Sequence, residues 1–68
     1  QQYAFNKSTL GARMDVLVER TGGRSGQVAG RSPYMQAVNI SGNESLVGRI
    51  VSCEVAEAKQ NSIVGSVL

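Results

Sequence analysis

The stretch ARMDVLVER, residues 12–20, alternates in polarity. Met14, Val16 and Val18 fall on one side, Asp15 and Glu19 on the other, with Leu17 as the apolar exception. A period of two over this length predicts a strand with one buried face. TGGRSGQ follows, with three glycines and two hydroxyl residues in seven positions, and reads as a flexible turn. QVAGR predicts a short second strand with Val28 inward, and QAVNI a third with Val38 and Ile40 inward and Asn39 outward. Between them Pro33 lacks an amide hydrogen and biases Ser32 toward extended geometry, so Arg31 to Tyr34 reads as a loop or irregular edge. RIVSCEVAEAK is the longest predicted strand, with Val51, Cys53 and Val55 inward and Ile50 opposite them. SIVGSVL returns as a fifth strand, where Gly65 signals a bulge or a tight bend.

The connections fill in the rest. SGNESLVG joins the third and fourth strands and offers Leu46 and Val47 to seal one end of a barrel, and KQN makes the last turn. Residues 1–11, QQYAFNKSTLG, show no clean period and read as the end of a helix or as a linker packed on the barrel. Five short strands, glycine-rich turns and no convincing internal helix predict an all-β fold, a small five-stranded antiparallel barrel of the OB-like kind. Closure removes sheet edges that so short a chain could not otherwise protect.

Composition narrows the chemistry. The 68 residues make one domain at most, with little surface to bury. There is one cysteine and no histidine, so neither an internal disulfide nor a zinc site of the usual kind can form. Cys53, in an apolar strand and without a histidine base, reads as a small core residue and suggests a reducing, cytoplasmic setting. No stretch is long enough to span a membrane and no signal peptide is visible, while a start at Gln1 suggests a piece of something larger. The net charge of +2 is unevenly spread. From Arg20 to Asn43 there are three arginines (Arg20, Arg24, Arg31) and no acid; elsewhere Lys7, Arg13, Arg49 and Lys59 face Asp15, Glu19, Glu44, Glu54 and Glu57. That contiguous basic third is either a solvated loop face or a patch for phosphate.

No catalytic constellation is present. Triads and metalloprotease motifs need histidine, the acids form no obvious pair, and TGGRSGQ lacks the spacing and lysine of a P-loop. By itself the chain is not expected to be an enzyme. Three loops offer binding groups instead. The first carries Arg20 and Arg24. The second carries Arg31, Ser32, Tyr34 and Gln36, with Asn39 just inside the next strand. The third carries Lys59, Gln60, Asn61 and Ser62. Arginine and lysine contact phosphate, tyrosine stacks on an unpaired base, and amides and hydroxyls read base edges or sugar hydroxyls. The candidate RNA-binding residues are Arg24, Arg31, Tyr34, Gln36, Asn39, Lys59, Asn61 and Ser62. Tyr34 could equally be a lid over the barrel end, and Asn61 simply a turn residue. Lys59 sits where carrier barrels display a modified lysine, but EAKQN lacks that signature.

GQVAGRSPYMQAVNI, LVGRIVSCEV and NSIVGSVL, in this order and spacing, resemble the TRAM domain, a small barrel of tRNA-modifying enzymes. GRSPYMQ, with FNKS…G before it, looks like the C-terminal domain of tRNA methylthiotransferases that act on isopentenyladenosine. The resemblance implies a tRNA-binding barrel over residues 11–68, with 1–10 as connector from a preceding domain. It places Arg31, Tyr34 and Gln36 in the GRSPY-Q stretch and Asn61 and Ser62 in the NS turn; Lys59 is added on charge. It further implies a parent enzyme whose radical S-adenosylmethionine and iron–sulfur domains do the chemistry. This chain lacks the three-cysteine motif and should itself hold no cofactor. The expected partners are tRNA and the parent's catalytic domain, with no membrane, for a monomer that helps position the anticodon arm. The alternative is a barrel that docks on that catalytic domain as a protein-binding module.

Overall fold

A computed structural model describes residues 2–68. A short helix, α1 (Gln2–Ser8), precedes five strands: β1 (Arg13–Thr21), β2 (Gln27–Arg31), β3 (Ala37–Ser41), β4 (Ile50–Ala58) and β5 (Ile63–Val67). A single 3₁₀ turn, Glu44–Leu46, lies between β3 and β4, its start capped by the Asn43 side chain. The strands close into a barrel in the order β1-β2-β3-β5-β4.

Every strand predicted from the alternation is present, but the barrel is not wholly antiparallel: β3 and β5 run parallel, with Val38 beside Ile63 and Ile40 beside Gly65. The correction has a simple cause. Around a closed ring of five strands, directions cannot alternate throughout, so at least one neighbouring pair must be parallel. β4 lies between β3 and β5 in sequence and provides the long crossover that parallel neighbours need.

Val16 and Val18, Val28, Val38 and Ile40, Cys53 and Val55, and Ile63 fill the interior. All but Cys53 are β-branched, the shape that packs best on a pleated surface. Leu17 and Ile50 break the alternation because they form a register pair on the outside of the β1–β4 ladder, where both are exposed. Two glycines sit at close approaches, prohibitive for a side chain at the first and tight at the second. A Cβ on Gly30 would stand 2.0 Å from the Leu17 carbonyl oxygen, where β2 crosses the β1 irregularity between Val18 and Arg20. A Cβ on Gly65 would press at 3.3 Å on Cys53 and Val38. The register shift beside Gly65 falls on the facing strand, between Val55 and Glu57.

The strand directions give the barrel two distinct ends. The β1–β2 turn and the β3–β4 connection share one end, tied by the Gly42 amide donating to the Gly26 carbonyl. There Leu46 turns inward against the core, while Val47 stays half exposed. The β2–β3 loop and the β4–β5 turn share the other end, and α1 sits there, with Asn6 fully buried.

Candidate nucleic-acid interface

The β2–β3 loop is built on a tight turn. The Met35 amide donates to the Ser32 carbonyl at 2.9 Å, and the Ser32 amide donates to the Gln36 carbonyl at 3.0 Å. Met35 takes φ = 66°, the left-handed residue that follows the turn in a short hairpin loop and that is usually glycine. Pro33 provides the fixed φ suited to the turn's second position. The Ser32 hydroxyl accepts from the Tyr34 and Gln36 amides and donates to Gln36 Oε1 at 2.9 Å. This wiring lifts Tyr34 and Met35 outward, 61% and 69% exposed.

A buried amide network joins that loop to the rest of its end. Gln36 Nε2 donates to Asn6 Oδ1 at 3.1 Å and to Thr9 Oγ1 at 3.2 Å. Asn6 Nδ2 donates to the Lys59 carbonyl at 3.0 Å and reaches the Ser62 carbonyl at 3.5 Å. The Thr9 hydroxyl donates to the Asn6 carbonyl at 2.7 Å. Among the described residues no buried side-chain nitrogen or oxygen lacks a partner. The turn carrying Asn61 is closed by the Lys59 amide donating to the Ser62 carbonyl. Tyr34 also meets α1: its ring lies edge-on to Phe5, centroids 5.8 Å apart at 77°.

Arg31, Tyr34, Gln36, Lys59, Asn61 and Ser62 are therefore gathered at one end of the barrel. Their availability differs. Tyr34, Lys59 and Asn61 are exposed and Ser62 half-buried, while Gln36 is 3% exposed with its amide fully engaged. Arg31 lies at the mouth of the loop, its Nε 3.5 Å from Glu19, a carboxylate also 3.8 Å from Arg20. Asn39 sits half-buried on the barrel wall between Ala29 and Val64. Arg24 is at the opposite end, beside a shallow depression of about 470 Å³ that Gly42, Asn43 and Glu44 help to line. The three arginines that are contiguous in sequence do not form one patch. Arg24 and Lys59 make no ion pair among the described residues.

Sequence reasoning missed Asn6 and Thr9, whose polarity looks like that of any exposed residue, and Phe5, whose contact needs the helix. The signal in the sequence was only the FNKS lead-in. Cys53 is 1% exposed, and burial, with a smaller contribution from Asp15, pushes its thiol pKa up. Burial and a raised pKa both work against thiolate formation there. No group of three or more His, Cys, Asp or Glu that could hold a metal occurs among the described residues, and no helix there is long and apolar enough to cross a membrane.

A small closed barrel with exposed basic, aromatic and amide groups on loops at one end belongs to the class of compact β-barrel domains. The TRAM domain family model matches residues 7–68, and the chain belongs to that family. It is 44% identical over 69 residues to tRNA-2-methylthio-N(6)-dimethylallyladenosine synthase of Rickettsia rickettsii, covering 100% of this chain and 16% of that protein. The synthase of the same name from Maricaulis maris is 42% identical over 66 residues, covering 97% of this chain and 14% of that protein. The matched region is the C-terminal part of these relatives, and the chain spans less than one-fifth of their length.

Proposed function

We propose that the chain is the tRNA-binding module of a tRNA methylthiotransferase and helps to hold the anticodon arm for a catalytic domain outside these 68 residues. The observation that carries this reading is the convergence of Arg31, Tyr34, Lys59, Asn61 and Ser62 on one barrel end, in a TRAM domain whose relatives are tRNA-modifying synthases. Arg31 and Lys59 contact phosphates, Tyr34 stacks on an unpaired base, and Asn61 and Ser62 bond to sugar or base edges. Gln36 acts from inside, holding the loop that presents Tyr34. Asn39 on the wall and Arg24 at the far end touch the RNA further along its arm.

In the parent enzyme the methylthiolation chemistry belongs to iron–sulfur clusters and S-adenosylmethionine. A cluster needs several thiolates, and this chain has only the buried Cys53, so the domain contributes binding and orientation alone. It works in the cytoplasm, as a monomeric unit with residues 1–10 leading in from the catalytic domain.

An amide chemical-shift titration with an unmodified tRNA transcript tests the reading. Shifts at residues 31–36 and 59–62, fading with salt, are expected. Arg31→Ala should weaken binding and reduce the slope of log K against log salt by roughly one. Unchanged affinity and slope would remove Arg31 from the interface.

One observation favours a second reading, docking on protein. Leu17, Ile50, Pro33 and Met35 line an apolar groove of about 420 Å³ on the outer wall beside Arg31. If tRNA shifts no amide and the parent's catalytic fragment shifts those of Leu17, Met35 and Ile50, the docking reading replaces the first.

A further inference from the structure

Asn6 lies in the segment read as a connector, yet it is 0% exposed and stands between the two loops that carry the candidate RNA-binding groups. Its amide has two different ends, and each is used for what only it can do. The oxygen accepts from Gln36, in the loop that holds Tyr34, and the nitrogen donates to the Lys59 and Ser62 carbonyls, which frame the turn that holds Asn61. These partners are 30, 53 and 56 residues away in sequence. No backbone hydrogen bond joins the β2–β3 loop directly to the β4–β5 turn among the described residues. Side chains make the connection.

We propose that Asn6 and Gln36 are positioning residues that lock the β2–β3 loop and the β4–β5 turn into one rigid platform, so that Tyr34 and Asn61 reach RNA in a fixed mutual geometry. The proposal rests on the tRNA-binding reading for its purpose, although the mechanical link can be tested without RNA. A preorganised platform avoids the ordering cost that two independent loops would meet on binding. The buried amides make the link strong, since an amide removed from one side leaves its partner without water to replace it. α1 thereby becomes part of the binding end, although neither Asn6 nor Gln36 touches the ligand.

Two variants test this. Gln36→Met conserves volume and removes the amide. Thr9→Val is milder, taking away one of the two acceptors of Gln36 Nε2. Hydrogen exchange of the free chain is expected to quicken by about tenfold at the Lys59 amide in Gln36→Met, with a smaller change in Thr9→Val. The core amides of Val16, Val28 and Ile40 should change far less. Titration with an unmodified tRNA transcript should show affinity about tenfold lower for Gln36→Met with the salt slope unchanged, because every phosphate contact is still made. Loss of a cationic phosphate contact would flatten the slope instead.

If the Lys59 amide is unchanged in both variants, or if loop and core amides quicken equally, the positioning role is overturned. If exchange responds as expected but the unaltered chain shows no tRNA affinity, the mechanical link stands and the tRNA reading fails. If exchange responds and the affinity of the unaltered chain exists but does not fall in Gln36→Met, the platform is not what RNA uses, and the positioning role in binding is overturned.

Discussion

The two ends of this barrel are closed by opposite physics. At the β1–β2 end a single apolar side chain, Leu46, folds in over the core. At the other end α1 closes the barrel with Asn6, Gln36 and Thr9, all buried and all hydrogen-bonded. An apolar plug is held by contact area, which has no direction, so the loops around it take their geometry from backbone bonds such as that from the Gly42 amide to the Gly26 carbonyl. A polar plug works only when each donor meets its acceptor, so it fixes the loops that carry those groups. The end that offers an aromatic ring, a lysine and an exposed amide is the one whose geometry is specified. The end with Gly22, Gly23 and Gly26 in its turn has an apolar seal, and a backbone bond joins its two loops.

Stability measurements decide which plug holds the barrel closed. Asn6→Leu leaves the Lys59 and Ser62 carbonyls without their side-chain donor and Gln36 with one acceptor fewer, and it should cost about 3 kcal/mol. Leu46→Ala removes only partly buried apolar surface and should cost about 1–2 kcal/mol. Urea unfolding of the two variants beside the unaltered chain measures both. A larger loss for Leu46→Ala would mean that the apolar plug, not the amide network, holds the barrel closed.

Much of the apolar half of this picture is legible in the sequence. The period of two puts Val16, Val18, Val28, Val38, Ile40, Cys53 and Val55 inside, because a strand offers each side chain only two directions. The parallel β3–β5 pair does not show in the local pattern and follows only from closing an odd number of strands. The polar half is not legible at all. Asn6 and Gln36 are of types that normally face water, and their burial depends on partners brought near by the completed fold. Charge misleads for a related reason. Arg20, Arg24 and Arg31 are neighbours in a chain without intervening acids, but the hairpin sends Arg24 to the far end and brings Glu19 between the other two.

Met35 belongs to the polar end but points out of it. It holds a left-handed backbone at 69% exposure, so burial does nothing to offset the strain. Met35→Gly should stabilise the domain by about 1 kcal/mol, seen as a rise in the urea midpoint at constant slope. If the tight turn exists to present this side chain, tRNA or partner affinity will fall while stability rises. If both stay level or rise together, Met35 has no role on the polar end and the strain has no function there.

A pair of charge substitutions bears most directly on which end would meet RNA. Glu19 stands 3.5 Å from Arg31 and would compete with a phosphate for it under the proposed reading, whereas Glu44 helps line the depression beside Arg24 at the opposite end. Glu19→Gln and Glu44→Gln each remove one negative charge, so any general gain from a more basic domain is common to both. The excess for Glu19→Gln then reports the local release of Arg31. Half-exposed pairs are worth little, so that excess should be about two- to threefold in affinity for an unmodified tRNA transcript at low salt, and it should vanish in an Arg31→Ala background. Equal gains from the two substitutions would mean that RNA lies along the whole barrel and reads both ends alike. A larger gain from Glu44→Gln would move the principal contact to the Leu46 end of the barrel.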